Sequence, residues 1–562
     1  MSKLVIINLG NGDLDNGFPH ITTRIINADS GENIRQFTGS LPPKPELAEL
    51  SEKYALIYNN LTRQYAFQIL DLDDDDDDGI TIVEAGVTNI TDTALSDLNQ
   101  QLETTLNKWL SSQEFIEKQL RTHLDPQEVI LIIIEVPDTP EILQKLPWQC
   151  WNLLKDYPKS EIVLRRQEIG EERIINQDKI KILVIVGDDT LINVEEERKF
   201  FNEIQCTEVK FLVRVSRQEV FNQLWEGEYD ILLFNGHSTT KNGTGIMYLL
   251  DETGQEYSLT IEELTNALTK AVNNQNRPLK LAIFNSCKGQ GLAFQIAKLN
   301  IPLVIFMREP IANKVAQQFF RYFMQAFAQQ QQPLLLAYRE ARQKLQGLEK
   351  DFPGASLLPV IYCTHSKLPM VQWREWMPLS WFWEQLQQKA SKTIDWLQFY
   401  PFTEDRMGWN LEVRGWNVGE EIELPPLPDI ILEKDISYSI KIDLNFPGSY
   451  LILLNQGLPK EGKATKYLMC PSRVAAPNNR LSEQSMFIPQ RQSSLEKNGI
   501  DFDSPGQEEF IAIVLDRPLI LPWMKTTENQ PVAEWDAAEI KQLFNSLEGY
   551  YWQAFYRRCQ VR

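Results

Sequence analysis

ILLFNGHS (231–238) and LAIFNSCKG (281–289) are two segments of similar build that lie 50 residues apart in the chain. Each begins with a run of apolar residues and ends in polar residues beside glycine. Such runs are typical of strands that are buried on both faces of a parallel sheet. Ligands of open α/β sheets bind outside the carboxyl ends of the strands. The two segments therefore predict two strands of one parallel sheet, with functional residues where each strand ends.

His237 and Cys287 are the reactive residues at these strand ends. A cysteine attacks as its thiolate, so a nucleophilic cysteine needs a base, and an imidazole serves this purpose. Gly236, Gly289 and Gly291 allow the backbone of a bound chain to come close. A helix that begins near Gly291 would favour a thiolate through the positive end of its dipole. The pattern predicts a cysteine peptidase with a His/Cys dyad.

A structural interpretation of the same two residues stays open, because buried cysteines are common and strand-end histidines are often only hydrogen-bonded. The other histidines are weaker candidates for a site. His20 follows a proline in a turn, and His123 lies past the end of a charged helix. His365 lies two residues from Cys363, but a zinc site would need two further ligands and the sequence shows no second cluster.

Alternating strand and helix patterns divide the chain into four segments. Residues 1–170 and 171–366 each have an α/β pattern, residues 367–400 form a Trp-rich linker and helix, and residues 401–562 form a β-rich domain. The predicted strands of the second segment span 180–186, 209–213, 229–234, 279–284, 303–306 and 358–362. Predicted helices span 93–120, 312–329, 333–349 and 533–556. The expected fold is a mostly parallel central sheet with flanking helices, shared by two halves, followed by a separate β-rich domain.

An acidic run at residues 73–78 resembles a calcium-binding loop. Its twelfth position is Ala85, where such a loop requires a bidentate glutamate. The segments 65–72 and 79–84 on either side have strand character, so a solvent-exposed hairpin tip is the preferred interpretation.

The bulk composition narrows the class of protein. Of the 562 residues 43% are hydrophobic and 24% charged, and the net charge is −21. An acidic chain is a poor match for nucleic acid or for an anionic membrane surface. The apolar runs are shorter than the roughly 20 residues that span a bilayer, and the six cysteines have no paired spacing. We expect a soluble, cytoplasmic protein without metal or cofactor.

Several segments resemble the CHAT domain, a caspase-like peptidase domain found in many bacterial proteins. They are LLFNGHS (232–238), LAIFNSCKGQGLA (281–293), IPLVIFMREPIANKVAQQFFRYF (301–323), ASLLPVIYC (355–363) and, upstream, LPWQCW (146–151). The resemblance covers residues 1–366 and implies a caspase-like sandwich with a degenerate first half and a catalytic second half. YLILLNQG (450–457), CPSR (470–473) and GQEEFIAIVLDRPL (506–519) resemble a β-rich module often fused to such domains.

The resemblance implies His237 as the general base and Cys287 as the nucleophile. It also implies an oxyanion hole formed by the backbone N–H groups of Cys287 and Ser238. The family usually has glycine after the histidine, so Ser238 departs from its pattern and would narrow the cleft.

Asn285 is a second departure from the family pattern. Relatives that cut after lysine or arginine often have aspartate two residues before the nucleophile, where it pairs with the charged side chain. Glu309 or Asp251 on neighbouring loops would be substitutes for this charge. Asn285, Glu309, Asp251 and Gly236 are therefore the candidate substrate-binding residues.

Two functions from different classes follow from these patterns. The first is a cysteine endopeptidase that acts on a protein or peptide substrate and is regulated by its C-terminal domain or by a protein partner bound there. By resemblance, it would be an effector in a bacterial stress or defence response. The alternative is a caspase-like scaffold without activity, motivated by Ser238 and Asn285, which binds a protein partner.

Overall fold

The computed structural model describes most of the chain, and the statements below refer to these residues. The described residues are 2–28, 30–70, 92–112, 115–136, 142–165, 179–187, 194–241, 244–287, 299–309, 311–364, 370–393, 395–402, 430–434, 436–482, 485–525 and 533–562. They form two compact units, Met1–Trp376 and Met377–Arg562. The boundary between the units falls inside the Trp-rich segment 367–400.

The first unit is built on one large sheet. Thirteen strands of the described part belong to it. They are β1 (Ser2–Asn8), β2 (Phe18–Asn27), β3 (Asn33–Leu41), β4 (Val129–Glu135), β5 (Ser160–Arg165), β6 (Ile180–Val186), β7 (Thr207–Leu212), β8 (Ile231–Lys241), β9 (Thr244–Leu250), β10 (Glu256–Thr260), β11 (Leu281–Cys287), β12 (Leu303–Met307) and β13 (Pro359–Cys363). All six strands predicted between residues 180 and 362 are present.

The strand order shows that the two halves of this unit share the sheet. It runs β10-β9-β8-β11-β12-β13-β5-β4-β1-β2-β3, with β6 also beside β8 and β7 beside β6. The central pairings are parallel except β12 with β13, while the hairpin strands at the two ends pair antiparallel. Strands β4, β6, β11 and β12 are almost wholly buried, which explains their continuous apolar sequences.

Helices pack against this sheet. They are α1 (Glu46–Leu70), α2 (Asp92–Leu110), α3 (Glu117–His123), α4 (Ile142–Lys145), α5 (Leu153–Asp156), α6 (Val194–Asn202), α7 (Arg217–Glu226), α8 (Ile261–Val272), α9 (Asn313–Met324), α10 (Leu334–Lys344) and α11 (Trp373–Trp376). A π-helical turn, Gln325–Gln329, extends α9, so the prediction of a helix over 312–329 is confirmed. In α11, Trp373 and Trp376 are buried against Phe327 of this turn.

The second unit contains two smaller sheets. One has the order β14-β16-β19 and the other β15-β21-β20-β17-β18. Their strands are β14 (Leu397–Pro401), β15 (Ile430–Leu432), β16 (Tyr438–Ile442), β17 (Tyr450–Pro459), β18 (Thr465–Cys470), β19 (Met486–Ile488), β20 (Gly506–Leu515) and β21 (Trp552–Val561). Helices α12 (Leu379–Lys389) and α13 (Ala537–Ser546) complete it. On α12, Trp383 donates a hydrogen bond from Nε1 to the buried Glu509 Oε2 at 2.7 Å.

The predicted fold class is confirmed. The first unit has a mostly parallel central sheet with flanking helices, and the second, separate unit is rich in β-structure. Within the described residues, no helix combines the length and apolar character needed to cross a membrane.

Three predictions of local structure are wrong. The helix predicted over 93–120 is divided, since α2 ends at Leu110, before the weak helix formers Ser111 and Ser112, and α3 begins at Glu117. Residues 65–70 are not a strand but the end of α1, because a helix that begins at Glu46 gains one hydrogen bond for each residue it adds. The acidic run at 73–78 and the predicted strand at 79–84 lie outside the described residues. The predicted helix 533–556 ends near Gly549, and β21 follows. Burial alternates along β21, with Phe555, Cys559 and Val561 in the core, as a strand requires.

Candidate active site

The two segments that carry His237 and Cys287 are neighbouring parallel strands. In the register of β8 and β11, Asn235 is opposite Asn285, Gly236 opposite Ser286, and His237 opposite Cys287. Adjacent strands lie about 4.8 Å apart, so these backbones are close together at the carboxyl edge of the sheet. The side chains of His237 and Cys287 lie outside the described part of the structure. Their assignment as a dyad stays a prediction.

Asp230 fixes this register at the opposite end of the two strands. Its carboxylate is completely buried and forms ion pairs with Arg277 Nη1 at 2.6 Å and Lys280 Nζ at 2.9 Å. The backbone N–H of Lys181, at the start of β6, donates to the same carboxylate at 2.9 Å. The Asp230 carbonyl accepts from the N–H groups of Lys280 and Leu281, which begin β11. One residue thus holds the starts of β6, β8 and β11 together.

A buried hydrogen-bonded chain of three side chains lies two residues before the strand ends. Asn285 Nδ2 donates to Asn235 Oδ1 at 3.1 Å. Asn235 Nδ2 in turn donates to both carboxylate oxygens of Glu197 on α6, at 3.1 and 3.0 Å. All three residues are about 5% exposed, and Asn285 Oδ1 has no hydrogen-bond partner among the described residues.

Burial changes the protonation of the carboxylate in this chain. Removal from water raises the pKa of Glu197 to about 7, against the lowering effects of the Asn235 hydrogen bond and the Arg321 charge. The guanidinium of Arg321, on α9, donates to Glu196 Oε2 at 2.8 Å. Glu197 therefore changes its protonation state near neutral pH.

Close packing explains why residue 236 is glycine. A Cβ at this position would lie 2.8 Å from the Cα of Gly187, closer than real side chains allow. Gly187, just past the end of β6, donates its N–H to the carbonyl of Asn235 at 2.8 Å. A role of Gly236 in substrate binding stays a prediction.

Ser238 and Asp251 belong to the hairpins that join β8, β9 and β10 at one end of the sheet. Ser238 is buried and opposite Met247 of β9. Asp251 follows β9 and is partly buried, and its Oδ1 accepts hydrogen bonds from Thr253 Oγ1 at 2.6 Å and from the N–H groups of Thr253 and Gln255. These bonds, led by the Thr253 hydroxyl, lower the pKa of Asp251. The carboxylate of Asp251 thus orders its own turn.

Glu309 lies at the carboxyl edge of the parallel strands. It follows the end of β12, the next strand after β11, and is only 4% exposed. The preceding Arg308 is also buried, and its Nη1 donates to the carbonyl of Lys145 at 2.9 Å. Of the four candidate substrate-binding residues, Asn285 and Glu309 are buried at the ends of neighbouring strands.

Several residues singled out in the sequence lie outside the described part. These are Gly289, Gly291 and His365, so neither the predicted helix near Gly291 nor the histidine beside Cys363 is described. Cys363 itself is buried at the end of β13. The described residues contain no group of three or more His, Cys, Asp or Glu side chains that could hold a metal ion.

A polar cavity of about 660 Å³ lies elsewhere in the first unit. It is bounded by α2, by the end of α10 and by the residues before β13, and neither β8 nor β11 contributes to its lining. Its walls include the ion pair of Glu103 with Lys155. The cavity is therefore separate from the strand ends that carry His237 and Cys287.

Sequence patterns alone did not identify Asp230 or Glu197. Glu197 stands in the run Glu195–Glu196–Glu197, which has the pattern of a solvated helix start. A signal was present, because Asn235 and Asn285 both end apolar strands and a buried amide needs hydrogen-bond partners. Two such amides in neighbouring strands therefore predict a hydrogen bond between them and a further polar group as the third partner.

The chain is similar to one protein family and to several solved structures. A family model described as CHAT domain matches residues 100–403. Two crystal structures of the Saccharomyces cerevisiae separase–securin complex are similar to the chain at 12% and 11% identity, with TM-scores of 0.40 and 0.38. Each match covers 64% of this chain and 30% of the matched chain, so the similarity spans less than a third of the length of those chains. A structure described only as that of a protease matches at 10% identity and a TM-score of 0.29, over 76% of this chain and 86% of the other. The curated proteins contain no match.

Proposed function

Because this chain belongs to the CHAT domain family and has its caspase-like scaffold, we propose that it is a cysteine endopeptidase with Cys287 as nucleophile and His237 as general base. The observation that carries the proposal is the register of β8 and β11, which has these two residues opposite each other at the carboxyl edge of a parallel sheet. A base and a thiol on adjacent strands have the proximity that nucleophilic catalysis needs.

The proposed reaction proceeds through an acyl-enzyme. The Cys287 thiolate attacks the carbonyl carbon of the scissile peptide bond, and the carbonyl oxygen takes up the negative charge. The backbone N–H groups of Cys287 and Ser238 stabilise this oxyanion. Protonated His237 gives its proton to the leaving amine as the C–N bond breaks. His237 then takes a proton from water, which attacks the thioester and releases the carboxylate product.

Substrate binding is assigned to the polar groups near these strand ends. Asn285, two residues before the nucleophile, would contact the side chain that precedes the scissile bond. Glu309 would add a negative charge from the next strand, and Gly236 would contribute only through its backbone, since Gly187 fills the space beside its Cα. Asp251, in its exposed turn, would act only on residues farther from the scissile bond.

We expect Cys287→Ala and His237→Ala each to abolish cleavage of a peptide library, because one removes the nucleophile and the other its base. Cleavage is followed by mass spectrometry of the products. Cys206→Ala and His20→Ala are matched controls, since Cys206 is partly exposed in another part of the unit and His20 is exposed in β2. Both controls are expected to keep wild-type activity.

The melting temperature of each variant shows whether loss of activity reflects loss of fold. Cleavage that persists in Cys287→Ala or His237→Ala would contradict the proposal. Absence of cleavage by the wild-type chain, together with tight binding of a protein partner, would favour the scaffold function. Ser238 motivates that alternative, since the family usually has glycine there.

The second unit is proposed to regulate the first or to bind a protein partner that does so. The support is the division of the chain into two compact units, of which one carries the proposed dyad. The five cysteines whose side chains are described form no disulfide, which suits a reducing cytoplasm. Bacterial stress or defence is the biological setting that family membership suggests.

A further inference from the structure

We propose that Glu197 determines which end of the Asn285 side-chain amide faces the substrate, and thereby selects substrates whose residue before the scissile bond carries a hydrogen-bond donor. The inference rests on the proposed function, because it assigns the specificity of the same site. Glu197 is a positioning residue in this scheme, since it acts through Asn235 and Asn285 and does not touch the reacting atoms.

The argument begins with the polarity of the three side chains. A carboxylate only accepts hydrogen bonds, whereas an amide donates at one end and accepts at the other. With Glu197 ionised, Asn235 must direct its NH₂ group to the carboxylate, and both oxygens of Glu197 accept from it. The Oδ1 of Asn235 is then fixed toward Asn285 and accepts from its Nδ2. The charge of Glu197 therefore determines the orientation of both the Asn235 and the Asn285 amide.

The series of three hydrogen-bonded side chains ends in a buried acceptor that has no hydrogen-bond donor among the described residues. Asn285 Oδ1 has no partner among the described residues, although its residue is 95% buried. Successive strand residues alternate between faces, so positions 285 and 287 share one face and are roughly 6.6 Å apart along the strand. A buried acceptor without a partner is costly. A substrate side chain with an N–H group would satisfy it, and a carboxylate or an aliphatic side chain would not.

Protonation of Glu197 changes this polarity. A neutral carboxyl group can donate, so Asn235 can turn its oxygen toward Glu197 and its NH₂ group toward Asn285. Asn285 then turns its NH₂ group toward the substrate. Because the pKa of Glu197 is raised to about 7, the change falls within an accessible range of pH. Selectivity for donor side chains should therefore decline as the pH falls through about 7.

Other charged groups near Glu197 must be kept apart from this effect. Arg321 on α9 acts on Glu197 and is paired with Glu196. On β7, which also contacts α6, Glu208 and Lys210 are exposed to solvent. His237 lies two residues past Asn235 and belongs to the proposed dyad. A comparison of the wild type with Glu197→Gln, in which His237 is unchanged, separates the contribution of Glu197 from that of the dyad.

The test uses the full-length chain and a series of peptides that differ only before the scissile bond, with glutamine, glutamate, lysine or norleucine. The ratio of kcat/KM for glutamine over glutamate is measured from pH 5.5 to 8.5. For the wild type we expect a ratio of about tenfold or more above pH 8, as one satisfied hydrogen bond provides, falling severalfold below pH 6. Glu197→Gln should have a lower ratio that does not change with pH, because its amide can donate or accept.

Two further variants make the outcome specific. Glu196→Gln removes a neighbouring charge on the same helix and is expected to keep the wild-type ratio above pH 8 and its decline at lower pH, with the midpoint shifted to lower pH because Arg321 loses its paired carboxylate. Asn285→Asp fixes an acceptor at the last position, so it should prefer lysine and show no pH dependence of that preference near 7. An unchanged ratio and pH profile in Glu197→Gln, with cleavage intact, would overturn the inference alone. No cleavage of any peptide by the wild type would overturn the proposed function and this inference with it.

Discussion

Glu197 combines nearly complete burial with a titratable group, so it links folding stability to pH at the scale of a single residue. Its pKa lies near 4.5 in an unfolded chain and is raised to about 7 by burial in the folded protein. Between these values the folded protein holds a proton that the unfolded chain has lost. Stability therefore falls as the pH rises through this window.

We expect Glu197→Gln to remove this loss of stability. The difference in unfolding free energy between the variant and the wild type should increase in favour of the variant by ~3 kcal/mol from pH 4.5 to 7.5, since each pKa unit corresponds to about 1.4 kcal/mol. Urea unfolding of both proteins at several pH values measures it. A difference that stays constant with pH would show that Glu197 does not titrate as described.

At the residue scale, the sequence predicted the residues at the strand ends but not the buried residues that hydrogen-bond and align these strands. His237 and Cys287 stood out because each ends an apolar run, which is a local pattern. Glu197 and Asp230 owe their roles to contacts with residues that are far away in the chain, and each stands in an ordinary polar sequence context. Long-range contacts of this kind have no local signature.

At the scale of elements, Asp230 aligns the strands that carry the proposed dyad. We expect Asp230→Ala to lower the free energy of unfolding by about 3 to 5 kcal/mol, because it leaves the buried Arg277 and the partly buried Lys280 without their partner. Cleavage should also decrease, since the starts of β6 and β11 lose their bonds to the Asp230 carboxylate, although the backbone bonds of its carbonyl remain. Denaturant unfolding and peptide cleavage measure the two effects.

Glu103→Ala is the matched control for this prediction. Glu103 forms an ion pair with Lys155 at 2.9 Å, but both side chains are largely exposed. Exposed pairs contribute about 0 to 1 kcal/mol, so this variant should remain close to the wild type. A loss below about 1 kcal/mol in Asp230→Ala would contradict the anchoring role.

The predicted elements were most accurate where both faces of a strand are buried. The strand 180–186 was predicted with the bounds it has in the structure, because a continuous apolar run has few other interpretations. The wrong assignments, at 65–70, near 111–116 and in the last part of 533–556, concern segments with mixed polarity. There, the neighbouring structure decides between helix and strand, as β20 does for β21.

At the scale of the whole molecule, the chain consists of two units that each have a buried core. We therefore expect a chain that ends at Trp376 to fold and to unfold in a cooperative transition. If the second unit regulates the first, the basal rate of peptide cleavage by this shorter chain should differ from that of the full chain. Circular dichroism and the cleavage assay measure both properties.

Equal basal rates in the two chains would contradict regulation by the second unit without affecting the proposed chemistry.

The strand order of the large sheet could not be predicted in full from the sequence. Local patterns indicate which segments are strands, but the pairing of β13 with β5 joins segments about 200 residues apart. Such pairings depend on the packing of the whole sheet.

The central claim is that His237 activates Cys287 across neighbouring strand ends. The most direct measurement is the second-order rate constant for alkylation of Cys287 by iodoacetamide near pH 6.5, with modification located by mass spectrometry, in the wild type and in His237→Ala. We predict that the rate constant falls by at least about tenfold in the variant, because the thiolate is the reactive species and loses its partner. Equal rate constants in the two folded proteins would contradict the claim.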